Sequence, residues 1–97
     1  MSPHEHDSTQ IRNCLFLDPR ISFKAKGVFG LLSTHADRRG VTPERIANAS
    51  TDGISAVKSA LSELERFGYL HRRQERDADG RTGVMVYDIT DTPPIAG

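Results

Sequence analysis

The stretch Asp52–Arg72, DGISAVKSALSELERFGYLHR, decides the fold. With Val57 at zero on a wheel of about 100° per residue, Ile54, Leu61, Leu64 and Gly68 fall within about 60° of it, and Ala60 and Phe67 flank that stripe. Ser55, Ser59, Ser62 and Arg66 fall on the opposite side, with Lys58 at its edge. The pattern predicts an amphipathic helix from about Gly53 to Phe67, with the Ile54, Val57, Leu61, Leu64 stripe in a core. Gly68 is the residue type that ends helices in a left-handed conformation. Tyr69 to Arg76 then predicts a strand, Asp77-Ala78-Asp79-Gly80 a turn, and Arg81 to Ile89, with Val84, Val86, Tyr87 and Ile89, a second strand. Together they predict a β-hairpin starting where the helix stops.

Upstream, Asn48 to Gly53 is turn chemistry. Thr42-Pro43-Glu44 predicts a helix start: a capping hydroxyl, a proline suited to the first helical position, and an acid at the positive helix end. That helix is short, running to about Asn48 with Ile46 and Ala47 inward, and Asp37-Arg38-Arg39-Gly40 before it reads as a polar loop. Ser22 caps an earlier helix in which Ala25, Val28, Phe29 and Leu32 make one buried stripe, with Lys24 and Lys26 off it. Asp18-Pro19-Arg20 is a turn, and Ile11 to Asp18, centred on Leu15, Phe16 and Leu17, reads as a strand or extended lead-in. Residues 1–10 are expected as a flexible tail, 11–90 as one domain, and 91–97, with Pro93 and Pro94, as a second tail or linker start.

The 97 residues suffice for one domain. No apolar run approaches the length of a membrane span, and Met1 to Gln10 lacks the apolar core of a secretory signal. Cys14, the single cysteine, makes no internal disulfide and reads as a small buried hydrophobe. These features lead us to expect a cytoplasmic protein. Formal charge is zero, with 13 Lys+Arg against 13 Asp+Glu, but it is unevenly spread. Residues 20–81 carry net +4, and the first 19 and last 16 residues net −2 each. Phosphate attraction depends on such local clustering. His4-Glu5-His6-Asp7 has metal-binding residue types, but a tail supplies no fixed geometry, so no metal site is expected. His35 and His71 stand alone and are expected exposed or half-buried. No nucleophile–base–orienter set or phosphate-cradling glycine motif is visible. The expectation is therefore no enzyme, no cofactor and no small-molecule ligand.

Extended segment, helix, short helix, turn, longer helix and hairpin form the order of an α+β winged helix-turn-helix: three helices, a C-terminal β-hairpin wing and a short N-terminal strand. In DPRISFKAKGVFGLLS (Asp18–Ser33), TPERIA (Thr42–Ala47), DGISAVKSALSELERFGYLHR (Asp52–Arg72) and DADGR (Asp77–Arg81), the chain resembles the helix-turn-helix domains of actinobacterial regulators and of plasmid and phage replication proteins. The likeness covers roughly residues 11–90, and AVKSALSELERFGYL carries most of it. The resemblance implies double-stranded DNA binding through the start of the long helix, here Ser55, Ala56, Lys58 and Ser59, and through the wing 69–89, here Arg72, Arg73, Arg76 and Arg81. Ser62 extends the exposed helix face.

One departure qualifies this expectation. Relatives often carry Arg, Gln or Asn on that face, whereas this chain carries mostly serine, which discriminates bases less than a bidentate pair does. Affinity is then expected to lean on phosphate contacts from Lys24, Lys26, Arg38, Arg39 and the wing arginines. The leading expectation is a bacterial transcriptional regulator acting as a homodimer on double-stranded DNA. The alternatives are a module of plasmid, phage or mobile-element replication machinery, and a winged helix used for protein–protein contact. Neutral charge and the serine-rich face make the third plausible, and on a plainer reading Arg72, Arg73, Arg76 and Arg81 are solvent charges on a hairpin partnered by Glu75, Asp77 and Asp79.

Overall fold

In the computed structural model, which describes residues 8–35 and 37–93, four helices precede an antiparallel hairpin. They are α1 (Asn13–Phe16), α2 (Phe23–Ser33), α3 (Pro43–Ala47) and α4 (Ile54–Arg66), followed by β1 (Leu70–Arg76) and β2 (Thr82–Ile89). The His4–Asp7 stretch and most of both expected tails lie outside the described residues. No helix among the described residues is long and apolar enough to cross a membrane.

The capping residues work as their chemistry dictates. Ser22 Oγ accepts from Ala25 N at 3.1 Å to open α2, and Thr42 Oγ1 accepts from Arg45 N at 3.2 Å to open α3. The stop after α4 takes two backbone bonds, Tyr69 N to Leu64 O at 2.9 Å and Gly68 N to Glu65 O at 3.2 Å, around Gly68 at φ +85. This is the paired-bond termination that needs a left-handed residue at its centre. It reverses the chain at once, so β1 leaves directly from the end of α4.

The core lies where α2, α3, α4 and the hairpin meet. Ala25, Val28, Phe29 and Leu32 of α2 pack with Ile46, with Val57, Ala60, Leu61 and Leu64 of α4, and with Tyr69, Leu70 and Tyr87. Ile54, expected in the α4 stripe, is only half-buried, and Ala60 completes the buried face instead. Tyr69 and Phe29 meet edge-to-face at 6.3 Å.

Three expectations are corrected. Ile11 to Asp18 holds the short helix α1 rather than a strand. Leu15 is the buried residue of α1; Phe16 and Leu17 stay exposed. Among the described residues the segment pairs with no strand, and it is held by Asp91, whose Oδ2 accepts from Arg12 N at 2.9 Å. Cys14 is exposed, and its thiol donates to Asp91 O at 3.2 Å. The expected loop at Arg38–Gly40 lies along β2: Gly40 N donates to Met85 O at 2.9 Å and Tyr87 N to Arg38 O at 3.1 Å. The two-stranded sheet thereby gains a one-bridge third rung, Arg39 opposite Val86.

Asp18 ties the helices to the hairpin. Its carboxylate is buried and accepts four bonds: from Arg20 N and Nε at 2.9 Å each, from Arg20 Nη2 at 2.7 Å, and from the Tyr69 hydroxyl at 2.6 Å. Glu63 of α4 similarly accepts from Ser22 N and Ser22 Oγ, both at 2.8 Å. The Arg20 hydrogen bonds hold the Asp18 carboxyl well below its ordinary 3.8, with the Tyr69 bond adding and burial opposing. Folding thus favours the charged form. The stabilisation is complete above the unfolded value of 3.8 and is lost as pH falls towards the lower folded value. In urea unfolding, the stability gap between the wild type and Asp18→Asn should be constant above pH ~5 and shrink below pH ~4. A gap that persists unchanged in acid would exclude this role. Tyr69→Phe, which removes one bond to a buried charge, should cost about 1.5–3 kcal/mol at neutral pH.

Candidate functional site

The exposed side of α4 follows from the same periodicity that buries its other side. Ser55, Lys58, Ser59 and Ser62 are exposed and Ala56 is half-buried. None of those four exposed side chains bonds to another protein group among the described residues. Gly53 caps α4 without a side chain, so no side-chain oxygen occupies the amides of the first turn. Arg66, four residues beyond Ser62, prolongs the polar strip, its guanidinium 5.4 Å from the Phe67 ring centre. It was legible from the 3.6-residue period that placed it opposite Val57.

The arginines of the hairpin divide into two groups. Arg72 grips Glu65 of α4 in a bidentate pair, Nε to Oε2 at 2.9 Å and Nη2 to Oε1 at 2.6 Å, over the Tyr87 ring at 5.7 Å. The Arg72 bond lowers the Glu65 carboxyl below its ordinary value. Arg73 Nε donates to Asp88 Oδ2 at 2.8 Å, and Glu75 lies between Arg73 at 3.9 Å and Arg39 at 2.6 Å. Bonding to Asp88 raises the Arg73 guanidinium further. Arg39, Glu75, Arg73 and Asp88 thus form an alternating ladder across the sheet, in which neither arginine is an uncompensated charge. Arg38 is also committed, donating through Nε to Tyr87 O at 3.2 Å and through Nη1 to His35 O at 2.7 Å.

Arg76 and Arg81 are different. They bracket the turn and pair with no carboxylate among the described residues; Arg76 Nη1 donates only to Gly80 O at 3.2 Å. Asp77 and Asp79 lie in the same turn but form no ion pair with either arginine among the described residues; Asp77 Oδ1 accepts instead from the Asp79 and Arg81 amides at 3.0 and 2.9 Å. Gly80, at φ +78, completes the turn. Of the cations singled out on α2, Lys26 lies over the Phe23 ring at 5.4 Å, and neither Lys24 nor Lys26 pairs with a carboxylate among the described residues.

The site therefore has two parts: a serine-rich helix face carrying Lys58, and a turn flanked by two free arginines. Their separation is fixed by the stop at Gly68 and by the Glu65–Arg72 pair. Pairing of Arg72 with a helix carboxylate was invisible in the sequence, since the two lie seven residues apart across a chain reversal. Comparison of the chain with protein-family models, curated proteins and solved structures finds no match. Among the described residues no three His, Cys, Asp or Glu side chains gather into a metal-binding group.

The shape of the hairpin end depends on Gly83. The register shifts between Gln74, opposite Met85, and Arg76, opposite Thr82. At that irregularity a Cβ on Gly83 would lie 2.7 Å from Glu75 O, a backbone atom that cannot step aside. Gly83→Ala should therefore destabilise the domain by about 1–3 kcal/mol and shift the amide resonances of Glu75 and Arg76 more than those of the α4 core. Unchanged stability and unchanged hairpin resonances would show that the close approach is not needed.

Proposed function

We propose that this chain is a winged helix-turn-helix domain that binds double-stranded DNA, with α4 in the major groove and the hairpin on the backbone or in the minor groove. The observation that carries the reading is the contrast between satisfied and unsatisfied polar groups. Five cations, Arg12, Arg20, Arg39, Arg72 and Arg73, are paired with carboxylates. Lys58 on α4 and Arg76 and Arg81 at the turn are among the cations that pair with no carboxylate among the described residues, as are Lys24, Lys26, Arg38, Arg45 and Arg66, and the exposed α4 serines bond no other protein group there. Such groups suit a polyanion whose phosphates and base edges supply the missing acceptors. The resemblance to bacterial regulators and replication proteins supports the same reading, with transcriptional regulation as its first form and a replication or mobile-element role as its second.

The structural pairing redistributes the roles. Arg72 and Arg73 hold the hairpin and contribute little net charge to a phosphate contact. Arg76 and Arg81 make the phosphate or minor-groove contact. Lys58 reads a base, and the small serines allow α4 to approach closely while discriminating modestly.

Duplex binding measured by fluorescence anisotropy across a salt series tests this. The wild type should bind with an affinity that falls as salt rises. Arg76→Ala and Arg81→Ala should each weaken all sequences alike and reduce the log–log salt slope by about one unit, while Arg73→Ala leaves that slope within about 0.3 unit. Lys58→Ala should relax selectivity at one or two base positions, at about 1–3 kcal/mol. Folded protein that shifts no genomic fragment at low salt would end the DNA reading. Footprints at promoters rather than at an origin or attachment site would separate the regulator from the replication module.

A further inference from the structure

Helix α2 uses only one face for the core. At its first turn Phe23 is 89% exposed. Beside it a groove of about 310 Å3 runs between α2 and the turn from α3 to α4, with Phe23 and Gly27 on one wall, Ala49 on the other, and the buried Val28, Ile46 and Val57 beneath. A Cβ built at Gly27 meets nothing within 4 Å, so packing within the chain does not require glycine where alanine would suit the helix better. Lys24 lies on the α2 wall and Asp52 on the opposite wall, and neither has an ion-pair partner among the described residues.

We propose that this face is a homodimer interface: a second copy of the chain docks about a two-fold axis running along the groove, each Phe23 ring entering the partner's groove and each Lys24 meeting the partner's Asp52. A two-fold contact requires one surface to complement itself. This one carries both the projecting ring and the recess that takes such a ring. An axis along the groove sets each α2 wall against the other copy's turn wall, so the positive wall faces the negative one. The absent side chain at Gly27 removes bulk that would hold the α2 wall off the turn wall of the other copy. A phenyl ring buries on the order of 150 Å2, so the two rings contribute on the order of 300 Å2, well below the roughly 1,200 Å2 of a standard specific interface, and the contact belongs to the weak class. Association is accordingly reversible and concentration-dependent. The inference uses the α2 groove alone and does not depend on DNA binding.

Sedimentation of the whole chain without DNA, from ~10 μM to ~1 mM, tests it. The wild type should show a reversible monomer–dimer equilibrium. Phe23→Ser should weaken the dimer at least about tenfold. Gly27→Gln, which projects into open space and favours the helix, should also yield monomer, with an unchanged or higher thermal midpoint by circular dichroism. Lys24→Asp and Asp52→Lys should each weaken the dimer, and the double variant should recover it. A wild type that stays monomeric throughout, or a dimer indifferent to both Phe23→Ser and Gly27→Gln, overturns the proposal. Losses that simply add in the Lys24→Asp/Asp52→Lys double variant overturn the paired geometry.

Discussion

The buried carboxylate of Asp18 constrains the architecture more than any other single group. An ionised carboxylate out of water is costly unless its lone pairs are used, and here four donors use them. Three come from Arg20, two residues on, and the fourth comes from Tyr69, at the far end of α4. The start of α2 is thereby bound to the start of the hairpin. Glu63 adds a second tie between the same regions by bonding Ser22, the residue that caps α2. Apolar burial is non-directional, whereas the bonds to the two carboxylates are directional, and displacing either would lose bonds that offset its desolvation. They fix how α2 crosses α4, and through Tyr69 they fix where β1 begins.

The disposition of the remaining charge follows from that frame. The chain is neutral overall, yet its pairing is selective. Carboxylates lie against arginines that hold elements together: Glu65 on Arg72 joins α4 to β1, and Glu75 joins Arg39 to Arg73 across the sheet. The exposed pairs among these add little to stability, so their effect is chiefly to orient side chains and to cancel charge on the sheet face. Cations without an ion-pair partner among the described residues include Lys58 on α4 and Arg76 and Arg81 beside the turn, as well as Lys24 and Lys26 on α2. A count of basic residues along the hairpin misses this, because it treats Arg72, Arg73, Arg76 and Arg81 as equivalent.

Local rules made much of the fold legible. Ser22 and Thr42 cap helices because a hydroxyl reaching back to a free amide is a local interaction. Gly68 stops α4 because left-handed backbone is a local property. The stripe through Val57, Leu61 and Leu64 follows from period alone. Expectations failed where distant partners decide. Leu15-Phe16-Leu17 has strand composition, yet it pairs with no strand among the described residues and coils into α1, held by Asp91 almost eighty residues away. Arg38–Gly40 has loop composition, yet β2 offers it unpaired backbone groups. The candidate site was legible as residue types on a face. Which of its arginines are paired was not, because Glu65, Glu75 and Asp88 acquire their arginine partners only when the chain folds back.

The two parts of the site gain meaning from their rigid connection. A helix face of serines offers little sequence discrimination by itself, and two arginines at a turn offer mainly charge. The stop at Gly68 and the Glu65–Arg72 pair lie between them and join the helix to the hairpin. On the DNA reading, phosphate contacts at the turn then set the depth and angle at which α4 sits, and the small side chains of Ser55, Ser59 and Ser62 permit an approach that longer ones would block. Selectivity in such an arrangement comes less from any one hydrogen bond than from whether a given duplex can present backbone and groove at the spacing this rigid pair demands. The Glu65–Arg72 pair, which contacts no base, would then act on specificity by keeping that spacing constant.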